Sequence, residues 1–310
     1  MQDGMKIRAN TRDYVEALRL ERWPRCLAVI PGFIASITLV PQIPGDYLHT
    51  YILPAGQLLL AFLLTLAVSA ANYIINEITD VSTDIYHPIK KKRPAAEGRV
   101  DRTKLIILWG ILLILSIGTA SLCFKSNALI LCLLALAVAG ILYNVKPIRI
   151  KDIPFLDSTF ESANNPIRFL IGWYILGTAF PPFFLLLSWW ALGNFLVLGK
   201  RVAEKKFLTE EQSSSYRRSL KQYNLCGLIG FMYVNAAISV AAFAWFAFQS
   251  KLNSFLISIP FVVVYLVFYF KKTRKDMESA VEPEKLLRNP YFVIYTLLMA
   301  AIFIIAHIFN

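Results

Sequence analysis

The chain has 310 residues, 57% of them hydrophobic and only 17% charged, with a formal net charge of +12. Apolar runs near the length needed to cross a bilayer recur from end to end, so the expected fold is all-α: a polytopic membrane bundle of about nine transmembrane helices. The four cysteines, Cys26, Cys123, Cys132 and Cys226, lie in or beside apolar segments without metal-ligand spacing; they imply no disulfide framework and are expected to be small buried hydrophobes.

In chain order, residues 1–25 form an N-terminal segment whose apolar residues from Tyr14 to Trp23 fall at helical spacing. It reads as a cytoplasmic interfacial helix with Trp23 at headgroup level. No short apolar leader with a cleavage site precedes it, so the first apolar run, after Arg25, is expected to be a retained span. Residues 26–310 are expected to form the transmembrane catalytic bundle, with spans at 26–44, 52–76, 104–122, 127–145, 154–174, 180–198, 224–248, 253–270 and 290–309.

The end of the second span carries the chemistry. Asn76, Asp80 and Asp84 advance about 40° per step around a helix axis and share one face, with Asn72 one turn earlier. Acids at a membrane helix end are costly unless something cationic binds them. Oxygen ligands in a row suit Mg²⁺, with Mn²⁺ as a substitute, held together with a substrate phosphate. The alternative is a solvated helix end with scattered acids. Pro88 should end the helix, and Lys90-Lys91-Lys92-Arg93-Pro94 then sits within one loop of the acids. Lys90 and Arg93, flanked by Pro88 and Pro94, are the expected diphosphate ligands; Lys91 and Lys92 fit a topogenic anchor equally well. His87 is read as an acid–base group or a capping group.

Further cationic clusters follow. Tyr143, Lys146 and Arg149, in the loop between the fourth and fifth spans, are within reach of an anionic headgroup. The fifth span carries Asp157, Glu161, Asn164, Asn165 and Arg168, so it must face the bundle interior or a wet cavity and is a candidate wall of the site. After the sixth span come Asn194 and then Lys200, Arg201 and Glu204; Lys200 and Glu204 are one turn apart and placed to pair. The 271–289 loop reads as solvated and topogenic.

Nine spans put alternate loops on opposite sides. With Arg168 counted among them, all of the 32 Lys and Arg except Lys125 and Lys251 fall on the side of the N-terminus, as do all of the 20 acids except Asp46. By the positive-inside rule that side, with the N-terminus and the active site, is cytoplasmic. The basic excess is thus topology and contact with anionic membrane lipids, with no nucleic acid implied.

The run Asn76-Glu77-x-x-Asp80-x-x-x-Asp84, followed by His87-Pro88-x-Lys90 and Arg93-Pro94, resembles the first aspartate-rich motif of the UbiA superfamily of intramembrane prenyltransferases, although the family pattern usually has Asp where this chain has Glu77. Arg19-x-x-x-Trp23 is similar to the family's N-terminal signature, and Tyr143-Asn144-x-Lys146 is a weaker likeness. The resemblance implies Mg²⁺ held against a diphosphate donor by Asn76, Asp80 and Asp84. It also implies transfer of a prenyl group, through an allylic carbocation, to a lipophilic acceptor, aromatic acceptors included. Where the superfamily carries a second aspartate-rich motif, this chain has Lys200-Arg201-x-x-Glu204. That departure resembles the decaprenyl-phosphate phosphoribosyltransferase branch. It implies an alternative in which phosphoribosyl pyrophosphate is the donor and a polyprenyl phosphate the acceptor.

The expected activity is therefore magnesium-dependent prenyl transfer, with Asn76, Asp80, Asp84 and Glu204 as catalytic residues. The expected substrate ligands are Asn72, Lys90, Arg93, Tyr143, Lys146, Arg149, Arg168, Lys200 and Arg201. Phosphoribosyl transfer is the first alternative and a membrane terpene cyclase the second. A transporter is disfavoured because the polar residues gather at one face, without paired broken helices at the midplane. The sequence does not name an oligomeric state.

Overall fold

The computed structural model of the protein describes residues 10–39, 53–177, 179–275 and 289–308. Every regular element among them is helical. Helix α1 (Thr11–Leu18) opens on a capping box in which the Asn10 amide N–H donates to Asp13 Oδ2 at 3.1 Å, and it closes on a left-handed Arg19. A 3₁₀ stretch (Leu20–Ala28) leads into α2 (Val29–Leu39). Then come α3 (Leu53–Asp84), α4 (Arg102–Cys123) and α5 (Asn127–Asn144). Asp101 caps α4, accepting from the Lys104 N–H at 2.9 Å, and Ser126 caps α5.

Two short helices follow, α6 (Leu156–Ser162) and α7 (Asn164–Trp173), and then α8 (Phe183–Phe207). The rest of the chain forms α9 (Glu210–Tyr216), α10 (Arg218–Gln222), α11 (Leu225–Gln249), α12 (Ile259–Thr273) and α13 (Pro290–Ile308).

Among the described residues six helical stretches are long and apolar enough to cross a membrane: α3, α4, α5, α8, α11 and Asn253–Thr273, which is α12 with its 3₁₀ lead-in. The remaining expected spans differ. Residues 40–44 of the first lie outside the described residues, and α13 carries a shorter apolar stretch, Pro290–Phe303. The fifth resolves into α6 and α7. Pro166 has no N–H for the Ser162 carbonyl, so the ladder breaks just where the two helices meet. Helix α3 continues through Asp84, as the helical reading of the acidic stripe requires, and α8 runs past its expected span end through Phe207, so both carry their charged residues on unbroken helix.

The chain divides into two compact units. One comprises Met1–Ile153, Ile167–Ala179 and Glu211–Arg218. Its core packs Ala61, Leu64 and Val68 of α3 against Leu129, Leu133 and Leu136 of α5 and Ile171 of α7. Backbones approach closely where α2 crosses α7: a Cβ on Gly32 would overlap the Phe169 carbonyl, and one on Gly172 would overlap the Val29 carbonyl. Small residues permit that contact in lipid, where helices associate by packing and hydrogen bonds because tails are as apolar as Leu. Outward side chains such as Leu122, 89% exposed, are the lipid-facing surface of this unit.

The other unit comprises Pro154–Pro166, Phe180–Glu210 and Ser219–Asn310. Phe195, Leu198 and Val202 of α8 pack on Leu228 and Met232 of α11 and Leu266 and Tyr269 of α12. Hydrogen bonds cross the α8–α11 contact. Ser188 Oγ donates to the Ser239 carbonyl at 2.8 Å, Ser239 Oγ returns to the Ser188 carbonyl at 3.1 Å, and Asn194 Nδ2 donates to Asn235 Oδ1 at 3.0 Å.

Candidate active site

The acidic stripe sits on the last two turns of α3. Asp80 and Asp84 are 5% and 1% exposed, and each is met by cations from a following loop. Lys151, in the short 3₁₀ turn Ile150–Asp152, donates to Asp80 Oδ1, to Asn144 Oδ1 at 2.8 Å and to Asn76 Oδ1 at 3.4 Å. Arg149 Nη2 reaches Asp80 Oδ1 at 3.2 Å, its Nη1 the Thr79 carbonyl at 3.3 Å, and its Nε lies 3.1 Å from Asp152 Oδ2. Arg93 pairs with Asp84 Oδ2. Burial pulls the Lys151 ammonium down to about 8; the Asp80 carboxylate resists that fall and Arg149 adds to it. Burial is the largest single influence on Arg93 and would lower it, but the charges of Asp84, Tyr216, Glu77 and Asp80 together outweigh it, and the guanidinium is raised.

Lys90 donates to Tyr216 Oη, with its ammonium 4.1 Å from the centre of that ring. His87 packs edge-on against the same ring at 4.8 Å, and its Nδ1 accepts from the Ile89 N–H at 3.2 Å, so this nitrogen caps the turn. Arg217 Nη1 donates to Tyr143 Oη at 3.1 Å. One unit thus gathers Asn76, Asp80, Asp84, Lys90, Arg93, Tyr143 and Arg149 of the expected site. Lys151, Asn144, Tyr216 and Arg217 join them, residues that spacing did not single out.

Three expected ligands lie differently. Asn72 Nδ2 donates to the Leu136 carbonyl at 2.7 Å and so braces α3 against α5, where a Cβ on Gly140 would strike its amide. Lys146 is exposed ahead of the cis Lys146–Pro147 bond and makes no hydrogen bond or ion pair among the described residues. Arg168 meets Ser69 Oγ at 3.4 Å, nearly three turns before Asp80. Glu77 has a brace of its own: it pairs with Arg19 and accepts from the Ala95 N–H at 3.1 Å. It ties the N-terminal segment and the basic loop to α3.

The second cluster belongs to the other unit. Arg201, fully buried on α8, is held by Asp157 at 2.8 Å, Glu161 at 2.7 Å and Glu204 at 2.9 Å, and Lys200 reaches Glu161 at 3.3 Å. Asp157 also accepts from Ser219 Oγ at 3.3 Å and from Tyr223 Oη. Burial and then the Asp157 charge push the Tyr223 phenol well above its usual value. The i, i+4 spacing of Asp157 and Glu161 is the sequence signal for this cluster, since acids this apolar in setting need a buried cation.

The first cluster fits a divalent cation. Two carboxylates and an amide share one helix face, and Asp84 Oδ1 is buried with no hydrogen-bond partner among the described residues, although Oδ2 is taken by Arg93. The second cluster fits one poorly, because its carboxylates converge on a guanidinium.

Residues 38–282 match the UbiA prenyltransferase family. A relative in Mycobacterium tuberculosis, decaprenyl-phosphate phosphoribosyltransferase, is 25% identical over 257 residues, covering 81% of this chain and 80% of its own. The Corynebacterium glutamicum protein of the same name is 30% identical over 200 residues, covering 63% and 57%. Among solved structures, a UbiA homolog from Archaeoglobus fulgidus bound to DMAPP and Mg²⁺ superposes with a TM-score of 0.69 at 18% identity, covering 95% of this chain and 99% of that one. Its GPP- and Mg²⁺-bound form gives 0.69 at 20%. At these identities the likeness is one of fold.

Proposed function

The chain belongs to the UbiA prenyltransferase family of integral membrane transferases, and from that premise we propose that it transfers a phosphoribosyl group from phosphoribosyl pyrophosphate to a polyprenyl phosphate. One observation carries the choice of donor. The position that would hold a second metal-binding motif is taken by Arg201, and Asp157, Glu161 and Glu204 close on its guanidinium. A donor site built on one acidic stripe and surrounded by cations suits a hydrophilic, multiply phosphorylated donor better than an isoprenoid tail. The names of the relatives in Mycobacterium and Corynebacterium support the same reading.

Asn76, Asp80 and Asp84 would hold Mg²⁺, which supplies neutralisation of the donor's diphosphate and of the charge that leaves with it. The protein's part is electrostatic. Lys90, Arg93, Arg149, Lys151 and Arg217 outnumber Asp80, Asp84 and Asp152, so the loops around α3 present a net positive surround for departing pyrophosphate. Tyr216 and Tyr143 orient Lys90 and Arg217. Lys200 and Arg201 act on the fold of their own unit through Glu161 and Asp157. We place the basic loops on the cytoplasmic side, from the charge split. Lys91→Cys, at an exposed position, should label only after an impermeant reagent is given access to the cytoplasm.

A second reading, prenyl transfer from a prenyl diphosphate, is favoured by the family as a whole and would use the same metal stripe. Purified protein incubated with each labelled donor, with polyprenyl phosphate and native lipids as acceptors, separates them. Metal-dependent label transfer from phosphoribosyl pyrophosphate is the expected result. Transfer from a prenyl diphosphate alone would replace the proposal with the second reading.

A further inference from the structure

The turns of α3 that precede the metal stripe are lined by buried arginines. Ser69, Tyr73 and Glu77 follow one another at four-residue intervals, and each in turn lies about two turns before Asn76, Asp80 and Asp84 on nearly the same face. Arg168 meets Ser69, while Arg19 and Arg22 lie over the Tyr73 ring at 5.7 and 5.4 Å. Arg19, Arg22 and Arg168 are 5%, 9% and 7% exposed. Glu77 answers Arg19, but among the described residues no carboxylate pairs with Arg168. Among the described residues, Arg168 Nε, Arg19 Nη1 and Tyr73 Oη are all buried without a hydrogen-bond partner.

Groups of this kind are costly to leave unpaired, and an unpaired ionisable side chain at membrane depth marks a ligand's place. The unmatched nitrogens are donors only and the phenol supplies an O–H, so the missing partner is an anion with several acceptor oxygens. A phosphate monoester presents three such oxygens, and guanidinium is the side chain best shaped to take them. Tyr73 precedes Asp80 by seven residues, about 10 Å along the helix, which is too far for the oxygens of a diphosphate on the Asp80 metal and calls for a second phosphate. Val68, next to Ser69 in sequence, and Ile171, one turn after Arg168, are fully buried in the apolar core of this unit.

We propose that Arg168, Arg22, Arg19 and Tyr73 seat the phosphate monoester of the lipid acceptor. The proposal rests on the phosphoribosyl-transfer reading for the identity of the lipid. The same chemistry could come from the 5-phosphate of the donor, so the experiment must separate the two.

Full-length protein in nanodiscs, without metal or donor, is titrated with polyprenyl monophosphate, with the corresponding polyprenol and with ribose 5-phosphate. Wild type should prefer the lipid phosphate to the polyprenol by at least tenfold. Arg168→Gln should remove that preference, Tyr73→Phe should weaken it several-fold, and Arg168→Lys should restore part of it. Thermal stability should hold or rise in Arg168→Gln, because an unpaired charge is gone. Should Arg168→Gln misfold, Tyr73→Phe and Arg168→Lys carry the test alone. Wild-type affinity for the lipid phosphate in all three variants overturns the site. Loss of ribose 5-phosphate binding with lipid-phosphate binding intact assigns the seat to the donor and overturns the acceptor assignment. If lipid-phosphate binding falls as expected while no phosphoribosyl turnover is found, the site stands and the functional reading fails.

Discussion

Replacing Arg201 with Leu should destabilise the protein without touching the metal stripe. Arg201 is fully buried and answers Asp157 and Glu204, both fully buried, and the partly buried Glu161, at 2.7 to 2.9 Å. Leu fills much of the guanidinium stem's volume, so the loss is mainly electrostatic. Removing one partner of a buried ion pair costs about 3–5 kcal/mol, because the remaining charge is stranded. Neutralising an ordinary carboxyl at pH 7 costs about 4 kcal/mol, which bounds the penalty per stranded acid at a similar figure. Ser219 and Tyr223 still donate to Asp157 and hold its share down. At roughly 2–4 °C per kcal/mol, the melting temperature of detergent-solubilised protein should fall by about 6–20 °C. Adding Asp157→Asn and Glu204→Gln to Arg201→Leu removes the two fully buried stranded charges, leaves Glu161 to Lys200, and should recover most of the loss. An Arg201→Leu melt at the wild-type temperature would refute the reasoning, and so would a triple variant no more stable than the single one.

Asp80→Ala and Asp84→Ala should each lower turnover about hundredfold or more, equivalent to about 3 kcal/mol of charge stabilisation, and each should also lower the melting temperature, because Lys151 and Arg93 lose a buried carboxylate partner. Full turnover in excess EDTA would contradict the metal assignment. Gly172→Val should cost at least about 1–3 kcal/mol, since its side chain would strike the α2 backbone at Val29; a circular-dichroism melt reads it, and a wild-type curve would disprove the close crossing. Asp13 is held below its ordinary 3.8 by the Asn10 N–H, despite some desolvation, with the Arg99 guanidinium adding to it. A depressed carboxyl stabilises above its unfolded value and loses that contribution as pH falls through the folded one. Anchoring of α1 to Arg99 should therefore hold at pH 5 and weaken below about pH 4, seen as faster amide exchange in residues 11–18. Exchange in Arg99→Gln that matches wild type at pH 7 would count against the anchor.

Periodicity made part of this molecule readable in advance. Asn76, Asp80 and Asp84 fall on one helix face because four-residue spacing nearly closes a turn, and the long apolar runs mark α3, α4, α5, α8 and α11. What periodicity cannot carry is pairing between distant segments. Lys151 meets Asp80 across 71 residues and Arg201 meets Asp157 across 44, and neither separation has a sequence pattern. Arg168 was legible as an intramembrane cation, but its neighbour Ser69 was not. The break between α6 and α7 was visible in Pro166, and an apolar average over residues 154–174 concealed it. Glu77 reads as a departure from a motif until Arg19 and Ala95 give it a reason: the longer acid reaches two segments at once.

The bonds between α8 and α11 act as a key cut for a single lock. Ser188 faces Ser239 and Asn194 faces Asn235, so residue numbers rise on one helix as they fall on the other. Sliding either helix by one turn, about 5.4 Å, would break the serine exchange and the asparagine pair together. Greasy surfaces in a greasy solvent tolerate such a slide; these polar teeth do not. They index α8 against its neighbour, and with it the height at which Arg201, farther along the same rod, meets its acids. Chain inserted between the two helices, in the segment at residues 208–224 that holds α9 and α10, would leave the teeth engaged. Trimming one helix end by a residue would leave the teeth in place and move only what lies beyond the cut.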